Sequence, residues 1–235
     1  MGSFLNVCIY RIPRGESIVF PPSHCPKCGS RVVVRDLIPV FSYLFLKGRC
    51  RYCRERISPL YPLVEVLTSL LFAAIYIQFG PNELLLKYLF LTAVLVVVTF
   101  IDLEFYLIPD RIVLFALIAG LPLNLIARDL TIVSALSGML SAGGFLLILA
   151  IVSRGGMGGG DIKLAAVIGF YLGWPNGFLA LLFACMLAGI VGLALVLTRI
   201  KGRKDVIPFG PFIVAGTFIS IFYGNYLLLW YLYNM

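Results

Sequence analysis

The feature that most limits what this chain can fold into is a series of apolar runs from residue 61 to residue 233, separated only by short breaks. A run of about 20 apolar residues can cross a bilayer, because a helix rises 1.5 Å per residue and the hydrocarbon layer is about 30 Å thick. The spacing predicts spans at 61–79, 84–101, 111–127, 132–152, 162–172, 177–198 and 211–233. The fifth would rise only about 17 Å, so it needs residues from its flanks or a thinned bilayer. Composition supports lipid as the main solvent: 13% of residues are charged, against about 25% in soluble domains. Backbone groups in hydrocarbon must be satisfied within the segment, which runs of this length achieve as helices. The expected fold is therefore all-α, a polytopic transmembrane helix bundle of about seven spans. A shift in composition near residue 60 sets off a polar, basic segment, 1–60, from the membrane domain, 61–235.

The net charge of +8 could suggest nucleic acid, but basic residues in a membrane protein are first expected in cytoplasmic loops. Ten Lys/Arg lie in residues 1–60, which places that segment in the cytoplasm. Alternating from there, Arg111, Arg154, Lys163, Arg199, Lys201, Arg203 and Lys204 join the same side, leaving Lys87 and Arg128 outside. The C-terminus then falls outside and no nucleic acid is expected as a partner. The outer connections are short, around Gly80-Pro81-Asn82, Arg128-Asp129 and Trp174-Pro175-Asn176, so neighbouring helices form antiparallel hairpins. No cleavable signal peptide is expected, since the brief apolar stretch from Met1 to Tyr10 is followed by Arg11, Pro13 and Arg14.

Four cysteines form two pairs, Cys25/Cys28 and Cys50/Cys53, in the two-knuckle spacing that wraps a tetrahedral Zn²⁺ in four thiolates. Such a site is coordinatively closed, so the metal is structural. Two disulfides are the alternative, disfavoured by a reducing cytoplasm. Cys8 and Cys185, alone in apolar surroundings, read as packing residues. His24 precedes Cys25 but is left out of the site because four thiols already suffice.

Acidic residues at membrane depth are costly and usually functional. Here they gather at two ends on one side: Asp102, Glu104 and Asp110 in one stretch, and Asp161 after three glycines in another. Asp102 follows directly on the run 84–101, with Pro109 disfavouring helix at Ile108. Asp161 can cap a helix N-terminus, while Gly158 and Gly160 let another backbone approach closely. Two carboxylates in one partly dry site share a proton, one serving as general base on a water and the other as general acid toward the peptide carbonyl and leaving amine. Taken singly, these acids read as a helix cap and a polar interfacial loop.

Taken together, the chain resembles the type IV prepilin peptidases, leader peptidases and N-methyltransferases of the GxGD aspartic protease group. The resemblance runs through Gly2-Ser-Phe-Leu-Asn-Val-Cys-Ile-Tyr-Arg-Ile-Pro13, Gly48-Arg-Cys-Arg-Tyr-Cys53, Ile57-Ser-Pro-Leu-Tyr-Pro-Leu-Val-Glu65, Asp102 to Asp110, Gly158-Gly-Gly-Asp161 and Ile207-Pro-Phe-Gly-Pro211. It implies a membrane-embedded aspartic endopeptidase of the bacterial cytoplasmic (inner) membrane, with Asp102 and Asp161 as the catalytic pair and Asp110 auxiliary. The substrate it implies is a prepilin or pseudopilin whose leader is cut on the cytoplasmic side; membrane lipids are the other partner. The second activity implied uses S-adenosylmethionine and belongs to the cysteine-bearing region. Asn6, Arg11 and Glu65 fall within its motifs as donor-binding candidates, or equally as topology anchors and a capped helix start. Asp110, Gly158, Gly160, Lys163, Pro208 and Gly210 are candidates for the substrate cleft. Family members usually place a transmembrane helix before the Gly-Ser-Phe-Leu-Asn motif, with which this chain opens.

The competing readings are a proton-coupled transporter, whose acids would sit near the bilayer midplane, and a membrane-anchored zinc or nucleic-acid module, for which one or two spans would suffice. Relatives that cut substrate helices inside the membrane share Gly-x-Gly-Asp but not the N-terminal motifs. Gly169, Gly173, Gly189, Gly192 and Gly216 are expected to let helices pack closely. Trp174 and Trp230 are expected in an outer interfacial belt.

Overall fold

Each apolar run forms a helix whose ends are set by local chemistry. The computed structural model describes residues 1–235 except 26, 34–35, 37, 39, 154–155, 203–204 and 235. Of the basic residues used to orient the chain, Arg35, Arg154, Arg203 and Lys204 lie outside the described residues. Two short helices, α1 (Gly2–Arg11) and α2 (Phe41–Phe45), precede α3 (Leu60–Phe79), α4 (Glu83–Phe105), α5 (Asp110–Ala127), α6 (Ile132–Val152), α7 (Gly159–Leu172), α8 (Asn176–Leu197) and α9 (Gly210–Tyr233). The side chains of Asn82 and Thr131 accept hydrogen bonds from the N–H groups of Leu85 and Ser134, and so cap α4 and α6. The described residues contain no sheet, only two isolated bridges near the cysteines.

Six helices, α3 to α6, α8 and α9, are long and apolar enough to cross a membrane. Their outer faces are largely apolar. Leu182, Met186, Ile190, Leu193 and Leu197 form an exposed stripe along α8, at the spacing of one helix face. A stripe of this size on a finished fold is a surface for lipid.

The fifth run became α7, whose 14 residues rise about 21 Å. It packs on α5, α6, α8 and α9, and Leu164, Ala165, Ile168 and Tyr171 are buried. Enclosed by other helices, α7 is free of the length that lipid contact demands. Its neighbours reach it through small residues: a Cβ on Gly169 would lie 2.6 Å from the Gly138 carbonyl carbon and 2.8 Å from Ala142 Cβ. Gly173 and Gly216 are also too crowded for a side chain, whereas Gly189 and Gly192 face open space and serve no such contact. Tyr171 donates its hydroxyl to the Ala116 carbonyl at 2.8 Å, and Asn124 donates to the Phe170 carbonyl at 3.0 Å, fixing α7 to α5.

At the end of the bundle away from Asp102, Lys87 is fully buried and donates to both carboxylate oxygens of Asp129, at 2.9 and 2.8 Å. Removing one partner of a buried pair strands the other charge, at about 3–5 kcal/mol. Asp129→Ala should therefore lower thermal stability in detergent by a margin that the exposed ion pair of Lys163, removed as Lys163→Ala, does not approach.

Candidate active site and metal centre

Helix α4 does not stop at the end of its apolar run, as the sequence suggested, but continues one more turn to Phe105. Nothing before Tyr106 opposes helix; Tyr106 adopts the left-handed region at φ 56° and donates its N–H to the Asp102 carbonyl. Asp102 thus lies inside the last turn, 5% exposed, rather than on a polar loop. Its Oδ2 accepts a hydrogen bond from the Gly210 N–H at 2.9 Å, 108 residues away in sequence. A Cβ on Gly210 would sit 2.7 Å from that oxygen. Gly210, in the segment Pro208-Phe-Gly-Pro211 that opens α9, therefore contacts the Asp102 carboxylate directly.

Asp161 is the third residue of α7, and the N-cap position belongs to Gly158. The expectation that Asp161 itself caps the helix is corrected on this point: an acid at the third position reaches back to the cap backbone, and its carboxylate meets Gly158 in this way. Asp161 and Asp102 lie within range of each other's charge. Gly160 meets the loop that follows α4, since a Cβ there would lie 2.9 Å from Ile108 Cβ. That contact brings the start of α7 against the end of α4.

The remaining acids stand at the rim. Asp110 opens α5 and accepts from Lys163 Nζ at 2.7 Å, both side chains being more than half exposed. Glu104 lies 3.7 Å from the Arg14 guanidinium, which stacks 3.8 Å above the Tyr10 ring and 5.1 Å from that of Phe105. Arg14 thus joins the end of α1 to the end of α4. Sequence reasoning passed over Arg14 and the Lys87–Asp129 pair. A lysine inside an apolar run was a usable signal for the second, because a cation at that depth calls for a partner.

Asn6, Arg11 and Glu65 are brought near the base of α1 but are occupied by backbone. Asn6 donates to the Tyr61 carbonyl at 3.0 Å, and Arg11 donates to those of Ser17 and Pro21 at 2.9 and 2.7 Å. Glu65 accepts from the Val40 N–H at 2.9 Å. With Asn6 and Arg11 6% and 7% exposed, Asn6 and Glu65 tie the N-terminal segment to α3, and Arg11 holds the loop that follows α1.

The sulfurs of Cys25, Cys28, Cys50 and Cys53 all lie within 4.8 Å of one another. Four thiolates at about 2.3 Å from a tetrahedral Zn²⁺ stand about 3.8 Å apart, and Cys25 and Cys53 meet at 3.8 Å. The cluster therefore fits a metal ion held by four thiolates. The Ser30 hydroxyl and backbone N–H beside Cys28 lower its thiol to about 6, and the backbone N–H groups of Cys53 and Tyr52 lower that of Cys50. His24 stays outside, its Nδ1 3.1 Å from the Pro22 carbonyl.

A multi-pass helix bundle with two carboxylates at one end, and a four-cysteine cluster in its N-terminal segment that could hold a metal ion, defines the class of this membrane protein. Residues 89–193 match the Type IV leader peptidase family, and residues 1–79 match the Bacterial Peptidase A24 N-terminal domain. The chain is 39% identical to the prepilin leader peptidase/N-methyltransferase of Bacillus subtilis (strain 168), covering 99% of this chain and 94% of the relative. The proteins of the same name from Aeromonas hydrophila and Pseudomonas putida are 35% and 33% identical, over 100% and 96% of this chain and 91% and 88% of theirs. No solved structure matches. The chain belongs to the type IV leader peptidase family.

Proposed function

We propose that this protein removes the leader peptides of type IV prepilins or pseudopilins, with Asp102 and Asp161 as the catalytic pair, and methylates the new N-terminus. The observation that carries the reading is the approach of these two carboxylates, one in the last turn of α4 and one in the first turn of α7. Held in one partly dry site, they keep a single proton between them. The ionised carboxylate takes a proton from a water whose oxygen attacks the scissile carbonyl carbon. The protonated one gives its proton to the carbonyl oxygen, forming a gem-diol. Collapse breaks the C–N bond as the protonated carboxyl gives its proton to the leaving nitrogen and the other carboxylate takes one from a gem-diol hydroxyl, which leaves a single proton on the pair again.

Gly210 fixes Asp102 Oδ2 by its N–H and leaves Oδ1 for the water. Gly158, exposed beside Asp161, leaves room for an extended substrate backbone, with Gly160 and Pro208 on the flanking walls. The exposed Lys163–Asp110 pair sits at the mouth of this cleft. Seventeen of the nineteen Lys/Arg fall on the side of the aspartates when the spans alternate, so the cut is made on the cytoplasmic face of the bacterial inner membrane. The C-terminus is then outside. A transporter would hold its acids near the midplane, and none of this supports one.

The cysteine cluster is assigned a structural Zn²⁺, which supplies a cross-link and no chemistry at the aspartates. Cys25→Ser/Cys53→Ser should reduce bound zinc, measured by elemental analysis, from about one ion per chain to none; full retention would refute the assignment. S-adenosylmethionine is the methyl donor in this reading, held in the N-terminal segment.

The test is reconstitution with a prepilin in liposomes, followed by mass spectrometry of the new N-terminus, which reads loss of the leader and gain of the methyl group separately. Both changes are expected. An intact leader would overturn the reading, and a cut but unmethylated product would remove its second half.

A further inference from the structure

Residues 48–57 form a tight hairpin around the second cysteine knuckle. The Cys50 N–H donates to the Glu55 carbonyl, and the Ile57 N–H to that of Gly48, each at 2.8 Å. Those bonds bracket Arg49 and Arg56, which form an antiparallel bridge. Residues directly opposite in this way share a face, and a pair between the bonded positions stands at the closer antiparallel spacing, about 4.5 Å between Cα atoms. Like charges held so destabilise the pairing. Nearby acids are turned elsewhere: Glu55 lies 3.4 Å from Lys27, and Asp36 accepts from Arg51 at 2.8 Å. Among the described residues no ion pair involves Lys47, Arg49 or Arg56.

These three cations line one open recess of about 440 Å³ with Tyr43, Ser58 and Pro59. One residue further on, Leu60 begins the membrane-spanning α3, so the recess lies where hydrocarbon gives way to water. Tyr43 belongs to α2, whose Phe41, Leu44 and Phe45 are 62%, 65% and 85% exposed. Three bulky apolar side chains on one short helix are unfavourable in water and suited to the headgroup and acyl boundary.

We propose that Lys47, Arg49 and Arg56 form a binding site for the phosphate of an anionic phospholipid, with α2 inserted in the same leaflet. A phosphate between the two arginines converts their repulsion into paired charge-assisted hydrogen bonds, which the planar guanidinium makes two at a time. Lys47 adds a third point charge. The site is separate from the aspartates, and the inference does not rest on the proposed reaction.

The experiment uses the full chain, purified with zinc present in a neutral detergent, and measures thermal unfolding with added phosphatidylglycerol, phosphatidylcholine, inorganic phosphate or S-adenosylmethionine. Phosphatidylglycerol alone should raise the transition of the wild type. Arg49→Gln/Arg56→Gln should unfold no lower than the wild type without lipid, because a repulsive pair has been removed, and should lose the phosphatidylglycerol shift. Lys47→Gln should keep part of it, with affinity falling about five-fold for each charge removed. A shift retained in the double variant would overturn the proposal, as would an equal response to phosphatidylcholine. An equal response to inorganic phosphate would make this a free-anion site, and a response to S-adenosylmethionine instead would make it the donor site; either result also removes the lipid. Should the double variant unfold early, the single variants Arg49→Gln and Arg56→Gln decide, since each must weaken the lipid shift.

Discussion

Asp102→Asn and Asp161→Asn should each lower the rate of prepilin cleavage by about a thousand-fold or more, while unfolding near the wild-type temperature. Asn preserves the shape of the side chain and its ability to accept from the Gly210 N–H, but it can neither take a proton from water nor give one to the carbonyl. General acid–base catalysis contributes about 10²–10⁴-fold, and each aspartate acts in both attack and collapse. Methyl transfer to a pre-cut substrate should survive both changes, because the cysteine-bearing segment is untouched. A variant that still cuts at the wild-type rate would remove that residue from the pair and turn attention to Asp110 or Glu104, which now stand exposed at the rim.

Gly210→Ala is expected to have the next largest effect. Its Cβ would lie 2.7 Å from Asp102 Oδ2 and 3.2 Å from Cγ, so either the carboxylate or the start of α9 must move. Asp102 is buried within a helix turn and has little room to give. Displacement of a reacting group by about 1 Å can cost about 10²-fold in rate, and that loss should fall on kcat more than on KM, because the Gly210 N–H is taken by Asp102. The pH profile of cleavage should shift as well, since the Asp102 carboxylate would lose its backbone donor while still facing Asp161. Gly189→Ala is the matched control: nothing lies within 4 Å of its Cβ, and exchanging glycine for alanine within a helix is favourable by about 0.5–1 kcal/mol. Wild-type cleavage by Gly210→Ala would show that α9 does not position the aspartate.

Much of the fold could be read directly. The predicted run 132–152 is α6 to the residue; α3, α5 and α9 differ from their predicted limits by one residue at the N-terminal end, and α8 by one residue at each end. Hydropathy and caps are local properties, so a sequence displays them. The end of α4 was misjudged because the last apolar residue was taken as the last helical one, whereas the helix persists until the left-handed turn at Tyr106. For α7, length was weighed against lipid, although its surroundings are protein on every side that the neighbouring helices cover.

At the site, residue types were legible and relations were not. The four cysteines announced their cluster by spacing alone, because two short knuckles bring the sulfurs together almost regardless of context. Asn6, Arg11 and Glu65 carried a polar signal that suits ligand-binding groups and anchors alike, and their hydrogen bonds to Tyr61, Ser17, Pro21 and Val40 exist only in the folded chain. Gly210 was named for the substrate cleft, and only α9 in place put its N–H on Asp102.

By itself the sequence determined a membrane helix bundle and singled out the four cysteines that cluster and the aspartates at the helix ends. Those follow from one-dimensional quantities: hydropathy, rise per residue, sign of charge and short-range spacing. Only the tertiary structure decided that α4, α7 and α9 meet at Asp102, that Asp161 lies in the first turn rather than at the cap, and that Lys87 is neutralised by Asp129. In lipid no hydrophobic force selects one helix neighbour over another, so these meetings depend on close approach at small residues such as Gly160, Gly169 and Gly210 and on paired polar groups. Such complementarity exists only between surfaces, and it becomes visible once the helices are in place.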